Sequence, residues 1–387
     1  WRLSEESFMQ GVSFLSDLKI RAGYGVMGDQ INASATNSYT SFLSDPGGSY
    51  YDITGSNNST AVGFGKAFTG NPDGQWQENK TANLGVDFSL FRAKLYGSVD
   101  IYKKVTDKLL FTAESPGTNG TSLPAAKNVG KMENKGIDLM INYRSGIGQN
   151  WAFESTLTFT TYKNKIVKIA DNLSFYLPPG NTLGIRNAVG QPVSSFYGYE
   201  AVGIWQSQQQ INSSYVQKDA RPGRTRYADA DGDGTVTEND RVFIGNPNPD
   251  FTAGINLSLS YKNVDLSAFF YAVYGNEIYN FNKWDREVFA RGEGAKSRDL
   301  LENSWTEERP NASIPIAEVG YNFTNDEINS NFVEDGSYLR LRNIQLGYNL
   351  PTDILQKAGM KKARMYLQAV NLITLTKYSG LEPEVGG

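Results

Sequence analysis

The residues best placed to do chemistry are the run from Asp229 to Asp240. Asp229, Asp231 and Asp233 alternate with small residues, Gly234 stands sixth, and Asp240 closes the twelfth place. That is the spacing of an EF-hand-type calcium loop, in which positions 1, 3, 5, 7, 9 and 12 turn oxygens inward and a glycine at 6 permits the sharp turn. A hard cation needs six or more oxygens from a short stretch. The three aspartates supply side-chain oxygens, Thr235 its carbonyl, Thr237 a fifth group and Asp240 the remainder. A structural calcium ion (Ca2+) is therefore expected on Asp229, Asp231, Asp233, Thr235, Thr237 and Asp240. Asp240 stands where the longer Glu is usual, which weakens or alters the coordination. An acidic, glycine-rich surface turn has a similar composition, but it has no need of four phased carboxylates. No amphipathic helix period flanks the loop, so the lever of a calcium sensor is missing.

Two absences narrow the remaining chemistry: the 387 residues include no His and no Cys. Disulfides, thiolate metal sites, the Ser-His-Asp arrangement and ordinary zinc chemistry are excluded together. Catalysis would have to rest on carboxylates or lysines. The acids fall in the metal loop or alternate along strands, with no isolated pair, so no enzyme is expected; a two-carboxylate glycosidase is the alternative. A net charge of −4 and a pI near 5.2 leave no basic patch for nucleic acid.

The elements that position these residues are strands. In Thr81–Phe91, Leu84, Val86, Phe88 and Leu90 alternate with Asn83, Gly85, Asp87 and Ser89. Leu95–Tyr102 follows after three residues, which makes a tight hairpin. The pattern recurs over Ile137–Tyr143 and Trp151–Thr160, over Phe251–Tyr261 and Val264–Phe270, and over Tyr338–Leu350 and Ala363–Thr374, with a first strand near Phe14–Tyr24. A polar lead around Ser4–Phe8 reads as a brief helix capped by Ser4. The count is about ten strands, within the even series from eight upward that membrane barrels use.

The connections say more than the alternation. Short links (92–94, 145–150, 262–263 and 351–362) alternate strictly with long excursions (25–80, 113–127, 170–250 and 275–336). Outer-membrane barrels have this asymmetry, with short periplasmic turns and long extracellular loops. Phe91, Tyr143, Trp151, Tyr162, Tyr261 and Tyr348 sit near strand ends, where interfacial girdles lie. No apolar run approaches the roughly 18–20 residues of a membrane helix, whereas a barrel crosses with strands that hydropathy averages away. The opening residues lack the basic start and apolar core of a signal peptide. The end at 381–387 lacks an aromatic-terminated strand. The chain therefore reads as a piece of a longer polypeptide.

Several stretches, in order along almost the whole chain, resemble SusC/RagA-type TonB-dependent outer-membrane transporters. They are Trp1–Met9 with Leu15–Gly25, Asn79–Phe88, Asn134–Leu139, Phe196–Tyr199, Asp231–Arg241, Ile244–Phe251, Gly275–Asn280, Tyr338–Asn343, and Asn371-Leu372 with Lys377–Glu384. The resemblance implies an all-β fold: the C-terminal portion of an antiparallel transmembrane β-barrel of about 22 strands, closed around a plug. Residues 1–387 would then be a partial barrel without plug, first strands or last strand, and 206–250 an extracellular insertion carrying the calcium loop. It further implies import of oligosaccharides or peptides across the outer membrane, energised through TonB, with a SusD-like surface lipoprotein as partner. A secreted calcium-stabilised carbohydrate-binding β-protein and a passive porin are the alternatives.

On this reading the aromatics of the extracellular segments are candidates for cargo contact, because flat rings stack on sugar faces and apolar side chains. They are Tyr197, Tyr199, Trp205, Tyr279 and Trp284, with Phe281 and Trp305 beside them; girdle or loop packing is the plainer role for each. Lys296–Trp305 reads as a short helix packed through Leu300 and Leu301. Asp138, Asn142, Arg144, Arg340 and Arg342 face the lumen, where their charges are expected to meet the plug.

Overall fold

In lipid a strand must pair its backbone groups with a neighbour, and the alternating segments lie side by side in one sheet. A computed structural model describes the chain except for residues 31–33, 54, 56–59, 113–119, 121, 148–149, 170–172, 179–183, 293, 358 and 385–387. A nine-stranded sheet runs in chain order: β1 (Leu15–Asp29), β2 (Gln77–Leu90), β3 (Leu95–Thr112), β4 (Ala126–Ile147), β5 (Trp151–Lys168), β6 (Phe251–Tyr261), β7 (Val264–Tyr274), β8 (Tyr338–Asn349) and β9 (Arg364–Thr376). Every neighbouring pair is antiparallel. Long and short links alternate as expected. The sheet holds one strand fewer than the sequence count, because alternating pieces in the long links pair among themselves.

The strand register sorts the two faces. Leu84, Ile101, Ile137 and Thr161 form one cross-strand row, and Val86, Val99, Leu139 and Phe159 the next. This apolar face continues through Leu259, Leu266, Leu346 and Leu367. At the short-turn end it finishes in aromatics: Trp151 lies 4.3 Å from Tyr261 and Tyr143 6.2 Å from Phe153. Phe91 (6.3 Å from Phe14) and Tyr348 are exposed at the same end. From Trp151 to Thr161 the strand covers about 33 Å, or about 25 Å of height at a tilt near 40°, the thickness of an outer-membrane apolar band. Tyr162 departs from the expectation. It sits opposite Gly136 on the polar face, in phase with Thr156, Thr158 and Thr160.

The polar face is tied by charges that reach across glycines. Arg21 on β1 donates to both oxygens of Asp87 (2.8 Å each) and of Asp100 (3.0 Å each). Asp100 lies two strands away, with Gly85 between them. A Cβ at Gly85 would come 2.4 Å from the Asp100 carboxylate and 2.8 Å from the guanidinium. The arrangement recurs at the other edge, where Arg364 meets Asp265 across Gly347. Asn142 donates to Glu154 and Thr156, and Arg144 to the Ala93 carbonyl. Arg340, on this inner face, and Arg342 pair with Glu382 and Glu384, just beyond β9, and Arg340 also bonds Thr374.

Near the N-terminus, two 3-10 turns, Leu3–Glu5 and Ser7–Met9, replace the expected helix. Ser4 caps neither; its hydroxyl bonds Asp17 at 2.7 Å.

Gly85→Val in the full-length protein should separate Arg21 from Asp100 and lower stability, because the added side chain occupies the place through which the two charges meet. Heat-modifiable electrophoretic mobility should report a lower unfolding temperature; an unchanged midpoint would show that the bridge contributes nothing.

Candidate functional site

Where the strands leave the apolar band, the long links fold into a layer of their own. In 169–250, Phe196–Tyr199 pairs with Arg241–Gly245, Ala201–Ile204 with Thr225–Tyr227, and Val216–Gln217 runs parallel to Thr235–Val236. In 275–337, Glu277–Tyr279 pairs with Val333–Asp335. Short helices occupy Phe281–Glu287, Arg298–Asn303 and Phe323–Asp326. Leu300 is buried as expected, whereas Leu301 is exposed on the far side of its helix.

The two excursions close on each other. Tyr199 stacks on Tyr227 at 4.9 Å, and Phe323 from the second excursion meets both rings edge-on. Tyr227 is fully buried and donates to the Thr324 carbonyl at 3.0 Å; burial pushes its phenol well up from the ordinary value. Arg224 grips Glu318 through two bonds, and Arg241 pairs with Glu327. The Tyr199 amide donates to the Ile328 carbonyl. Gly198 makes this approach possible, since a Cβ there would lie 2.4 Å from that same carbonyl. A second cluster joins Phe196, Tyr279, Trp284 and Phe332.

These contacts decide the fate of the candidate aromatics. Tyr199, Trp205, Tyr279 and Trp284 are buried, as is Trp305, so they pack the loop layer and present no free ring face. Tyr197 is half-buried, edge-on to Phe243 and covered by the Arg186 guanidinium at 4.1 Å. Phe281 is the exposed member of the set. Sequence reasoning missed a cavity between the excursions, lined by polar residues such as Lys283, Glu287, Asn325 and Arg224 and by apolar ones such as Phe289 and Ile316. The clustered asparagines of 322–331 were its available signal. Burial raises the Glu287 carboxyl, with Lys283 opposing.

The acidic loop divides into two parts. The carboxylates of Asp229, Asp231 and Asp233 converge, with an oxygen from each within 4.8 Å of the others. Each also accepts a local backbone N–H: Asp229 from Gly232 and Gly234, Asp231 from Asp233, and Asp233 from Thr235. Asp240 stands apart and fully buried. Its oxygens accept from the amides of Ala230 (2.6 Å), Asp231 (3.2 Å) and Thr237 (2.7 Å). Burial works to raise its carboxyl, but those N–H donors outweigh it and hold the group below the ordinary range. Thr237 caps the 3-10 turn Glu238–Asp240, its hydroxyl accepting from the Asn239 amide. Asp240 and Thr237 thus close the loop, and the three aspartates form its acidic rim.

Strands with an apolar outer face and a polar inner one, short turns at one end and a folded loop layer at the other, define the wall of an outer-membrane β-barrel. The family described as "TonB dependent receptor-like, beta-barrel" matches residues 11–372. The chain belongs to that family, and its relatives place it in the SusC/RagA type. It is 33% identical over 392 residues to TonB-dependent receptor P3 of Formosa agariphila, covering 99% of this chain and 37% of that protein. To TonB-dependent receptor SusC of Bacteroides thetaiotaomicron it is 26% identical over 406 residues, covering 100% of this chain and 37% of that one. It superposes on a chain of the RagAB peptide transporter with a TM-score of 0.82 and 26% identity, covering 100% of this chain and 40% of that one. The chain therefore spans about two fifths of the length of these relatives.

Two outcomes test the loop layer. Tyr227→Ala should cost about 3–5 kcal/mol, as loss of a buried aromatic does. Limited proteolysis should then cut within 169–250 and 275–337 while the barrel keeps its heat-modifiable mobility; unchanged protease resistance would refute the shared core. The second concerns Glu334, which accepts from the Ser379 amide and hydroxyl (2.8 Å each) and pairs with Lys283 at 3.0 Å. Burial pulls its carboxyl up, but these donors hold it below the ordinary 4.5. A carboxyl lowered on folding stabilises above its unfolded value and loses that contribution as pH falls through the folded one. Protection of 334–379 in hydrogen exchange should therefore fade below the ordinary 4.5, and Glu334→Gln should flatten the dependence.

Proposed function

We propose that this chain is part of the wall and mouth of an active importer of oligosaccharides or peptides in the outer membrane. Energy reaches the parent protein through TonB, and a SusD-like surface lipoprotein is its partner. The observation that carries this reading is likeness over the whole chain, wall and loop layer together, to a chain of the RagAB peptide transporter, alongside a relative named SusC. The cavity between the excursions supports the cargo class. Its amides and charges beside Phe289, Pro315 and Ile316 offer hydrogen bonds and apolar contact together, as sugars and peptides require. A passive porin has no need of a folded layer over the long-link end. In cells expressing the full-length protein, uptake of labelled oligosaccharides or peptides should require TonB, and affinity purification should recover a surface lipoprotein. Uptake that persists without TonB would favour the porin.

The proposal includes a calcium ion on the acidic loop. Asp229, Asp231 and Asp233 would hold it with the Thr235 carbonyl, while Thr237 and Asp240 keep the loop closed. The ion would neutralise the crowded carboxylates and stiffen the excursion. A dissociation constant on the order of 10⁻⁴–10⁻³ M is expected for such an extracellular site. Asp229→Ala with Asp231→Ala should abolish one equivalent of calcium in titration calorimetry. Equal calcium content in parent and variant would end the assignment.

A further inference from the structure

We infer that the outer face of β2–β5 carries a binding site for a phosphate-bearing lipid of the outer leaflet. The inference rests on the barrel's place in the membrane and is independent of cargo. Lys103, Lys135 and Lys163 lie directly opposite one another on β3, β4 and β5, and all three are exposed. They share the face of Ile101, Ile137 and Thr161, two residues further along each strand. The lysine row therefore stands about 7 Å of strand above the last row of the apolar band, at the long-link end. In an outer-membrane barrel that end meets the outer leaflet.

The row is costly as it stands. Directly opposed residues on neighbouring strands are about 5 Å apart, and like charges there repel. Glu133 answers part of the charge, lying 2.7 Å from Lys103 and 2.6 Å from Lys135. Lys163 has no carboxylate partner among the described residues, and neither does the exposed Lys165, which is paired in register with Glu133. The four lysines thus keep a net positive excess. Immediately below them a shallow trough is lined by Leu84, Ile101 and Ile137 and by the lysines themselves, whose hydrocarbon stems extend the apolar surface.

An amphiphile with an anion at its head and a hydrocarbon chain beneath fits this surface. Phosphate oxygens would accept from the ammonium groups of Lys103, Lys135 and Lys163, and the acyl chain would lie in the trough below. A free anion would satisfy the lysines but leave the trough unfilled. A neutral lipid would fill the trough but leave the repulsion in place.

The test uses the full-length protein in detergent, with phosphatidic acid, diacylglycerol of the same chains and inorganic phosphate as probes, and native mass spectrometry as the readout. Phosphatidic acid should be retained by the parent, and diacylglycerol should not. Lys103→Gln/Lys135→Gln/Lys163→Gln should weaken retention by about fivefold per lysine removed, given the usual contribution of a basic residue at a lipid surface. Lys262→Gln, at the short-turn end, should change nothing. Heat-modifiable mobility equal to the parent's shows that the triple variant is folded. Equal retention of phosphatidic acid by a folded triple variant would overturn the site. Inorganic phosphate that binds as well as the lipid would also overturn it, by showing a site for a free anion.

Discussion

Lipid gives a peptide group no hydrogen-bond partner, and the wall follows from that constraint. Each strand must lie beside another along its whole membrane-crossing length, which makes antiparallel neighbours in chain order the simplest solution. The side-chain period of two then divides inside from outside at every residue. The outer rows from Leu84 to Leu367 are apolar because acyl chains face them. The inner rows can hold Arg21, Asp87, Asp100 and Arg340 because there charge meets charge. Crossing from one strand to the next but one requires an empty place between, and Gly85 and Gly347 supply it.

Beyond the band the constraint is lifted, and the chain folds as a soluble domain does. The long links bury aromatic rings, pair in short strands of two to five residues, and cap their turns with Ser207, Thr237, Asn280 and Asn322. Their cohesion comes from contacts far apart in sequence, such as Tyr227 to Thr324 and Arg224 to Glu318. The Phe196–Tyr199 stretch has a physical reading in that setting. Phe196 and Tyr199 belong to the two buried clusters, and Gly198 lets the second excursion come close.

Most of the wall was legible in the sequence, because a period of two survives any tertiary context when one face must be apolar. The strand ends were less so. β4 extends back to Ala126 and β5 on to Lys168, and over these stretches charges such as Lys131, Glu133, Lys135, Lys163 and Lys165 replace the apolar residues, so the contrast between faces disappears. Tyr162 could have been placed correctly by phase alone, since it follows Thr156, Thr158 and Thr160. The buried aromatics could not, because a ring in a polar loop looks the same whether another loop covers it or not. What covers Tyr199 and Tyr227 comes from Phe323, about a hundred residues away. The acidic loop was legible as a spacing. Yet the same Thr237-x-x-Asp240 spacing also encodes a helix cap, and the cap is what engages the last carboxylate.

The union of the two excursions has a mechanical corollary. Rings, backbone bonds and ion pairs hold 196–245 and 277–335 together, so a force applied to either is shared by both. Any displacement of this part of the mouth is then rigid-body tilting, with its compliance confined to the stems. There Gly275 takes a left-handed backbone conformation, and the Gly275 and Gly336 amides bond to Ser337 and Asn276 across the two chain segments.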